Sequence, residues 1–148
     1  MKLVTHLEAV LLVLGAVSAL PAHAQTTCAN SNLSGDYAIT ITGAIVAGPV
    51  TGPVNGVNLT HFDGAGNLTA VDHVIIDGVL GGPGVDWRAS VGTYSVSSNC
   101  IGQASFTYPD GESPGLTYFF VLTKLGQQMD IVVSTPGFNI TAAGIKRP

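Results

Sequence analysis

Between Asp36 and Lys146 the chain alternates short runs rich in Val, Ile, Thr, Phe and Tyr with clusters of Gly, Pro, Asn and Asp. No apolar pattern of helical period survives that density of glycine and β-branched residues, so the pattern predicts strands joined by tight turns and no helix. Eight strands are expected, at about Asp36 to Ala47, Val54 to Phe62, Leu68 to Asp77, Val85 to Val96, Ile101 to Tyr108, Leu116 to Thr123, Gln128 to Ser134 and Phe138 to Lys146. The breakers between them include Asp63-Gly64-Ala65-Gly66-Asn67, Ser97-Ser98-Asn99-Cys100, Pro109-Asp110-Gly111 and Leu125-Gly126. Connections this short force each strand to pair antiparallel with its neighbour, because parallel pairing requires a long crossover. A meander of this kind removes its edges by closing on itself. The expected fold is therefore all-β, an antiparallel up-and-down barrel of about eight strands.

Residues directly opposite in an antiparallel pair share a face, so the turns assign the faces. Centring the second hairpin on Ala65 sets His61 opposite Thr69, Leu59 opposite Val71 and Val57 opposite His73. Centring the hairpin after the fourth strand on Ser98 and Asn99 sets Val96 against Ile101 and groups Trp87, Ala89 and Val91 with Ala104 and Phe106. Tyr118 and Phe120 follow onto the face of Phe106, and Leu122 faces Asp130. The expected lumen is mostly apolar, with Leu59, Val71, Trp87, Val91, Phe106 and Phe120 around the polar groups of His61, His73, Thr93, Tyr118 and Asp130. Arg88, Ser90, Gln103, Ser105 and Thr107 are expected to meet solvent, and Phe119, Val121 and Ile131 to form an apolar stripe outside.

Ahead of the strands lies a segment of another kind. Lys2 precedes an uncharged run from Ala9 to Leu20, followed by Pro21-Ala22-His23-Ala24, a small-residue cleavage site. This pattern predicts a signal peptide over residues 1–24, a mature chain starting at Gln25, and one domain over 25–148. The run is shorter than the ~20 apolar residues of a spanning helix, so no membrane span is expected after cleavage. A secreted or periplasmic chain passes through an oxidising compartment, where its two cysteines, Cys28 and Cys100, are expected to form one disulfide. Four sequons, at Asn32, Asn58, Asn67 and Asn139, would be glycan acceptors in a eukaryotic host.

Composition narrows the chemistry. Of 148 residues only 9% are charged, and five Lys and Arg against nine Asp and Glu give a net charge of −4, which leaves no cationic surface for nucleic acid. Past the signal peptide only His61 and His73 remain as histidines, and with scattered acids they lack the spacing of a metal site. No phosphate loop and no Gly-x-Ser-x-Gly elbow is present, so no cofactor is expected.

Several short motifs follow one another along the chain: Cys28, then Leu33-Ser34-Gly35-Asp36-Tyr37, Phe62-Asp63-Gly64-Ala65-Gly66-Asn67-Leu68, Gly92-Thr93-Tyr94-Ser95-Val96, Asn99-Cys100 and Gly102. The order resembles that of a group of small exported bacterial proteins, common in soil bacteria such as acidobacteria. That resemblance spans nearly the whole mature chain and implies a calycin-like barrel of the lipocalin or allene-oxide-cyclase type. It implies no catalytic residues. The Gly-x-Trp signature of true lipocalins near the first strand is absent, since the one tryptophan is Trp87.

An apolar lumen with a few convergent polar groups has the composition of a small-molecule pocket. The leading expectation is a protein that binds a small hydrophobic ligand in its lumen through His61, His73, Trp87, Phe106, Tyr118 and Phe120, with no chemistry performed. The alternatives are a cyclase or isomerase using a lumen histidine as acid or base, and a surface or interaction protein whose barrel is filled by its own side chains. In the last case the outer stripe suits a homodimer.

Overall fold

In a computed structural model of the chain, residues 27–82, 86–111 and 113–148 are described. The signal peptide over 1–24, the mature start at Gln25 and the Val85 start of the fourth strand fall outside them.

The described residues form an antiparallel sheet of nine strands: β1 (Ser34–Ile45), β2 (Gly52–Asp63), β3 (Asn67–Ile76), β4 (Val79–Leu80), β5 (Arg88–Val96), β6 (Ile101–Thr107), β7 (Leu116–Thr123), β8 (Gln128–Val133) and β9 (Phe138–Lys146). β4 is a two-residue extension that pairs only with the end of β3. The other eight close into a barrel, each pairing with its sequence neighbours and β9 returning to β1. The all-β, eight-stranded barrel expected from the alternation is what the chain forms. Closure satisfies the backbone groups that an open sheet would leave along its edges.

Side chains alternate between lumen and exterior along every long strand, and the two ends of the lumen differ. At one end aromatic and aliphatic residues fill the interior. Tyr37, Phe62, Tyr94, Phe120, Leu122 and Met129 form a buried cluster, closed beneath by Leu33. The Phe62 ring meets Tyr37 and Tyr94 edge to face, at centroid distances of 5.4 and 5.0 Å. The phenols are anchored on backbone: Tyr94 Oη donates to the carbonyl of Leu33 at 2.7 Å, and Tyr37 Oη donates to that of Gly126. Burial pushes the Tyr37 phenol up to about 12, with the neighbouring Tyr94 adding to the shift. The Cys28–Cys100 disulfide ties the segment that caps this end to the β5–β6 turn.

Two hairpins depart from the expected register, and each departure moves residues between lumen and solvent. Val96 pairs with Gly102, not with Ile101. The loop is Ser98-Asn99-Cys100, with Ser97 bonded to Ile101 and Cys100 in the left-handed region at φ 65°. That is the three-residue hairpin whose last residue takes positive φ. A cysteine at that position hides the cue a glycine would have provided. The slip of one residue turns β5 over, because the side-chain period of a strand is two: Arg88 and Ser90 point inward, and Trp87, Ala89, Val91 and Thr93 point outward. In the next case, Leu122 pairs with Met129 and Val121 with Asp130. Lys124, Leu125 and Gly126 all adopt positive φ in the intervening turn, which a two-residue breaker did not foretell. Asp130 is therefore exposed, Ile131 is buried in the lumen, and Val132 replaces it on the outer stripe with Phe119 and Val121.

Candidate functional site: a cavity with one polar wall

Beyond the packed end the lumen widens into a cavity of about 660 Å³. Its apolar wall comes from Ile39, Ile41 and Ile45 of β1, Tyr118 of β7, Ile131 and Val133 of β8 and Ile140 of β9. The mouth is formed by the segment after β1 (Ala47, Gly48, Pro49, Val50), by β4, by Ser113 and Pro114 before β7, and by Thr135 and Pro136 between β8 and β9. The volume falls within the range of small-molecule pockets.

Most of the polar lining, and all of its charge, lies on one side. Strand register places Asn58 beside Asp72 and Asp72 beside Arg88, all inward, as one rung across β2, β3 and β5. The adjacent rung runs Thr60, Ala70, Ser90. Asp72 and Arg88 are an ion pair with Nε 2.8 Å from Oδ1, and their side chains are only 3% and 10% exposed. The other carboxylate oxygen of Asp72 accepts a hydrogen bond from Tyr108 Oη at 2.6 Å. Arg88 also donates to the carbonyl of Gly81 at 2.7 Å, and more weakly to Ser113 Oγ and Tyr108 Oη, with its guanidinium 4.5 Å from the centroid of the Tyr108 ring. Burial raises the Tyr108 phenol well above its ordinary value, and the Asp72 carboxylate beside it raises it further, so Tyr108 stays a neutral donor to Asp72. Thr60 donates to Asn58 Oδ1. Ser90 Oγ, by contrast, is buried with no hydrogen-bond partner.

Of the residues expected to line the lumen, Phe106 and Tyr118 border the cavity, and Phe120 faces inward but belongs to the packed end. Burial raises the Tyr118 phenol as well. His61, His73 and Trp87 lie on the outer face. The pairing of His61 with Thr69 and of Val57 with His73 is as expected, but that face turns to solvent while Val54, Phe62, Leu68 and Ile76 turn inward. Both faces of this hairpin carry aliphatic residues, and the aromatic partner Phe62 decides which is buried. His61 Nδ1 sits 2.7 Å from Asp36 Oδ1 on the surface. His73 bonds to the carbonyl of Asp86, and its ring lies 5.6 Å from that of Trp87, which is 56% exposed. Leu59, Val71, Val91 and Thr93 likewise occupy outward positions, so no histidine among the described residues is available to act as an acid or base inside the lumen.

The residues that sequence reasoning missed are Asn58, Thr60, Asp72, Arg88, Ser90 and Tyr108. One signal was present: the positions of β3 that alternate with the histidine face are Leu68, Ala70, Val74 and Ile76, apolar apart from Asp72. Asn58, one of the four sequon asparagines, borders the cavity. No group of three or more potential metal ligands is present among the described residues, and no helix among them is long and apolar enough to cross a membrane.

Comparison of the chain with protein-family models, with curated proteins and with solved structures finds no match.

Proposed function

We propose that this protein is exported, through cleavage of the signal peptide over residues 1–24, and binds a small hydrophobic molecule in the lumen of its barrel. The observation that carries the reading is the cavity of about 660 Å³, open between the strand ends and walled chiefly by aliphatic side chains, at the end of the lumen the aromatic cluster leaves free. A barrel that served only as a scaffold would gain stability by filling this volume, because interiors pack to near-crystalline density and empty apolar space forfeits dispersion contacts. The disulfide accords with an oxidising compartment. The motif order quoted above supports placing the chain with the small exported bacterial proteins it resembles, as a lipocalin-like binder.

The test is a fluorescence titration with pyrene, a rigid hydrocarbon. Saturable binding is expected, and Ala142→Phe, which fills the cavity from β9, should abolish it while leaving the circular dichroism spectrum unchanged. An absence of saturable pyrene binding by the folded protein overturns the reading.

A second reading concerns the exterior. Ile101 pairs with Val121 and Phe119 with Val132, and all four are 45% to 52% exposed, so β6, β7 and β8 present a small apolar patch, bordered by Gln103 opposite Phe119 and by Asp130 opposite Val121, that suits a second copy of the chain. Sedimentation of the wild type against Phe119→Lys tests it, and a wild-type monomer at high concentration refutes it.

A further inference from the structure

Resting on the lumen as a binding cavity, we infer that the ligand is an uncharged amphiphile, an apolar body carrying one hydroxyl or carbonyl oxygen, and that Ser90 Oγ is the group that recognises that oxygen. Two observations carry this.

The first is the orphaned hydroxyl. Ser90 is 2% exposed, borders the cavity, and its oxygen has no partner in the protein. Buried hydroxyls are almost always hydrogen-bonded, because leaving one unpaired costs its full desolvation. The neighbouring positions of β3 and β2 do not supply a partner: Ala70, beside it, has no polar side chain, and Thr60 stands one strand further away, across Ala70. Ser90 can both donate and accept, so it can serve an alcohol or a ketone equally.

The second is the charge balance. Asp72 and Arg88 are the only charged residues among those described as lining the cavity, and they neutralise each other. Arg88 is further engaged by Gly81, Ser113 and Tyr108, and both oxygens of Asp72 accept hydrogen bonds. A ligand carboxylate would lose its hydration and meet Asp72 with no free cation to pair with, and a ligand ammonium would meet Arg88 in the same way. The wall is polar yet electrically satisfied, and among the described residues its one fully buried side-chain atom without a partner is a neutral hydroxyl. The size of the body follows from the volume: at about 30 Å³ per water-sized group, the cavity holds on the order of twenty non-hydrogen atoms.

The experiment displaces pyrene with dodecanol, dodecane and dodecanoate, at neutral pH, from the wild-type protein and from Ser90→Ala. Pyrene has no polar atom and reads the cavity itself in both proteins. Dodecanol is expected to bind the wild type about tenfold more tightly than dodecane, the ratio that one hydrogen bond confers, and dodecanoate at least as many times more weakly than dodecanol. In Ser90→Ala the preference for dodecanol over dodecane should vanish while pyrene affinity stays within about twofold. If pyrene binds both proteins but dodecanol has no advantage, or keeps it in Ser90→Ala, or dodecanoate matches dodecanol, the inference fails and the cavity stands. If pyrene does not bind the wild type, the cavity reading and the inference fail together.

Discussion

The Asp72–Arg88 pair gives the sharpest prediction about how this barrel is held together. Arg88→Met preserves the length and apolar volume of the side chain but leaves Asp72, 3% exposed, with only the Tyr108 hydroxyl as donor. Removing one partner of a buried pair costs about 3–5 kcal/mol, because the remaining charge is neither solvated nor compensated. For a domain of this size, with a urea dependence of about 1.5–2 kcal/mol per molar, that is a fall of roughly 2 M in the unfolding midpoint. The opposite outcome is expected when the whole polar unit is exchanged. Arg88→Met with Asp72→Leu and Tyr108→Phe removes the charge, its counterion and the hydroxyl that would otherwise lose its acceptor. Replacements of this kind are neutral or stabilising by about 1–4 kcal/mol. The triple variant should therefore unfold at or above the wild-type midpoint, with a large favourable coupling relative to the single changes. Far-ultraviolet circular dichroism is the appropriate signal, since the one tryptophan, Trp87, is 56% exposed and senses the core poorly. A single variant whose midpoint lies within about 0.5 M of wild type, or a triple variant no more stable than the single, would refute the description of this pair as buried and mutually dependent.

Four more outcomes follow from the packing of the barrel and from its outer face. Cys28→Ala with Cys100→Ala opens a loop spanning a sequence separation of 72 and should cost about 4 kcal/mol in the chain-entropy account, lowering Tm by roughly 15 °C; a drop below about 4 °C refutes it. All four tyrosines are held protonated in the fold, chiefly by burial, Tyr37 up to about 12, so their contribution is intact below about pH 10 and is lost as pH rises from there toward 12. The slope is about 1.4 kcal/mol per pH unit for each phenol, so phenolate absorbance should appear together with unfolding, and its appearance near pH 10 in a folded barrel would contradict the burial. Gly102 lies under the Phe120 ring, where an added Cβ would stand 2.1 Å from the ring, so Gly102→Val should destabilise by about 1–3 kcal/mol despite the β-propensity of valine, whereas a gain in Tm would refute that packing. Finally, His61→Ala, His73→Ala and Trp87→Ala should leave pyrene affinity unchanged while Phe106→Ala alters it, and a loss of binding in Trp87→Ala would restore that residue to the lumen.

What the sequence determined by itself was the set of strands and their closure. Alternation of β-branched and polar residues, broken by Gly, Pro, Asn and Asp, is a local signal, and short connections leave antiparallel neighbours as the one arrangement. The described strand limits lie within a few residues of those expected from the chain, and the pairing of the two cysteines followed from their number and the expected compartment. Which side of each strand faces inward was decided only in the tertiary structure. The side-chain period of two makes every face assignment depend on the residue count in the adjoining turn, and in two turns that count rested on non-glycine residues at positive φ, Cys100 and the Lys124-Leu125 pair, whose residue types do not signal that conformation. Beyond Asp72 interrupting an apolar face of β3, the polar wall left no mark in the sequence, for a related reason. Asp72 and Arg88 read as solvent-facing when taken singly, and become lumen residues only because β3 and β5 set them side by side, where each cancels the other's cost of burial. Local sequence carries propensity and turn chemistry. Compensation between charges 16 positions apart exists only once the strands have been brought together.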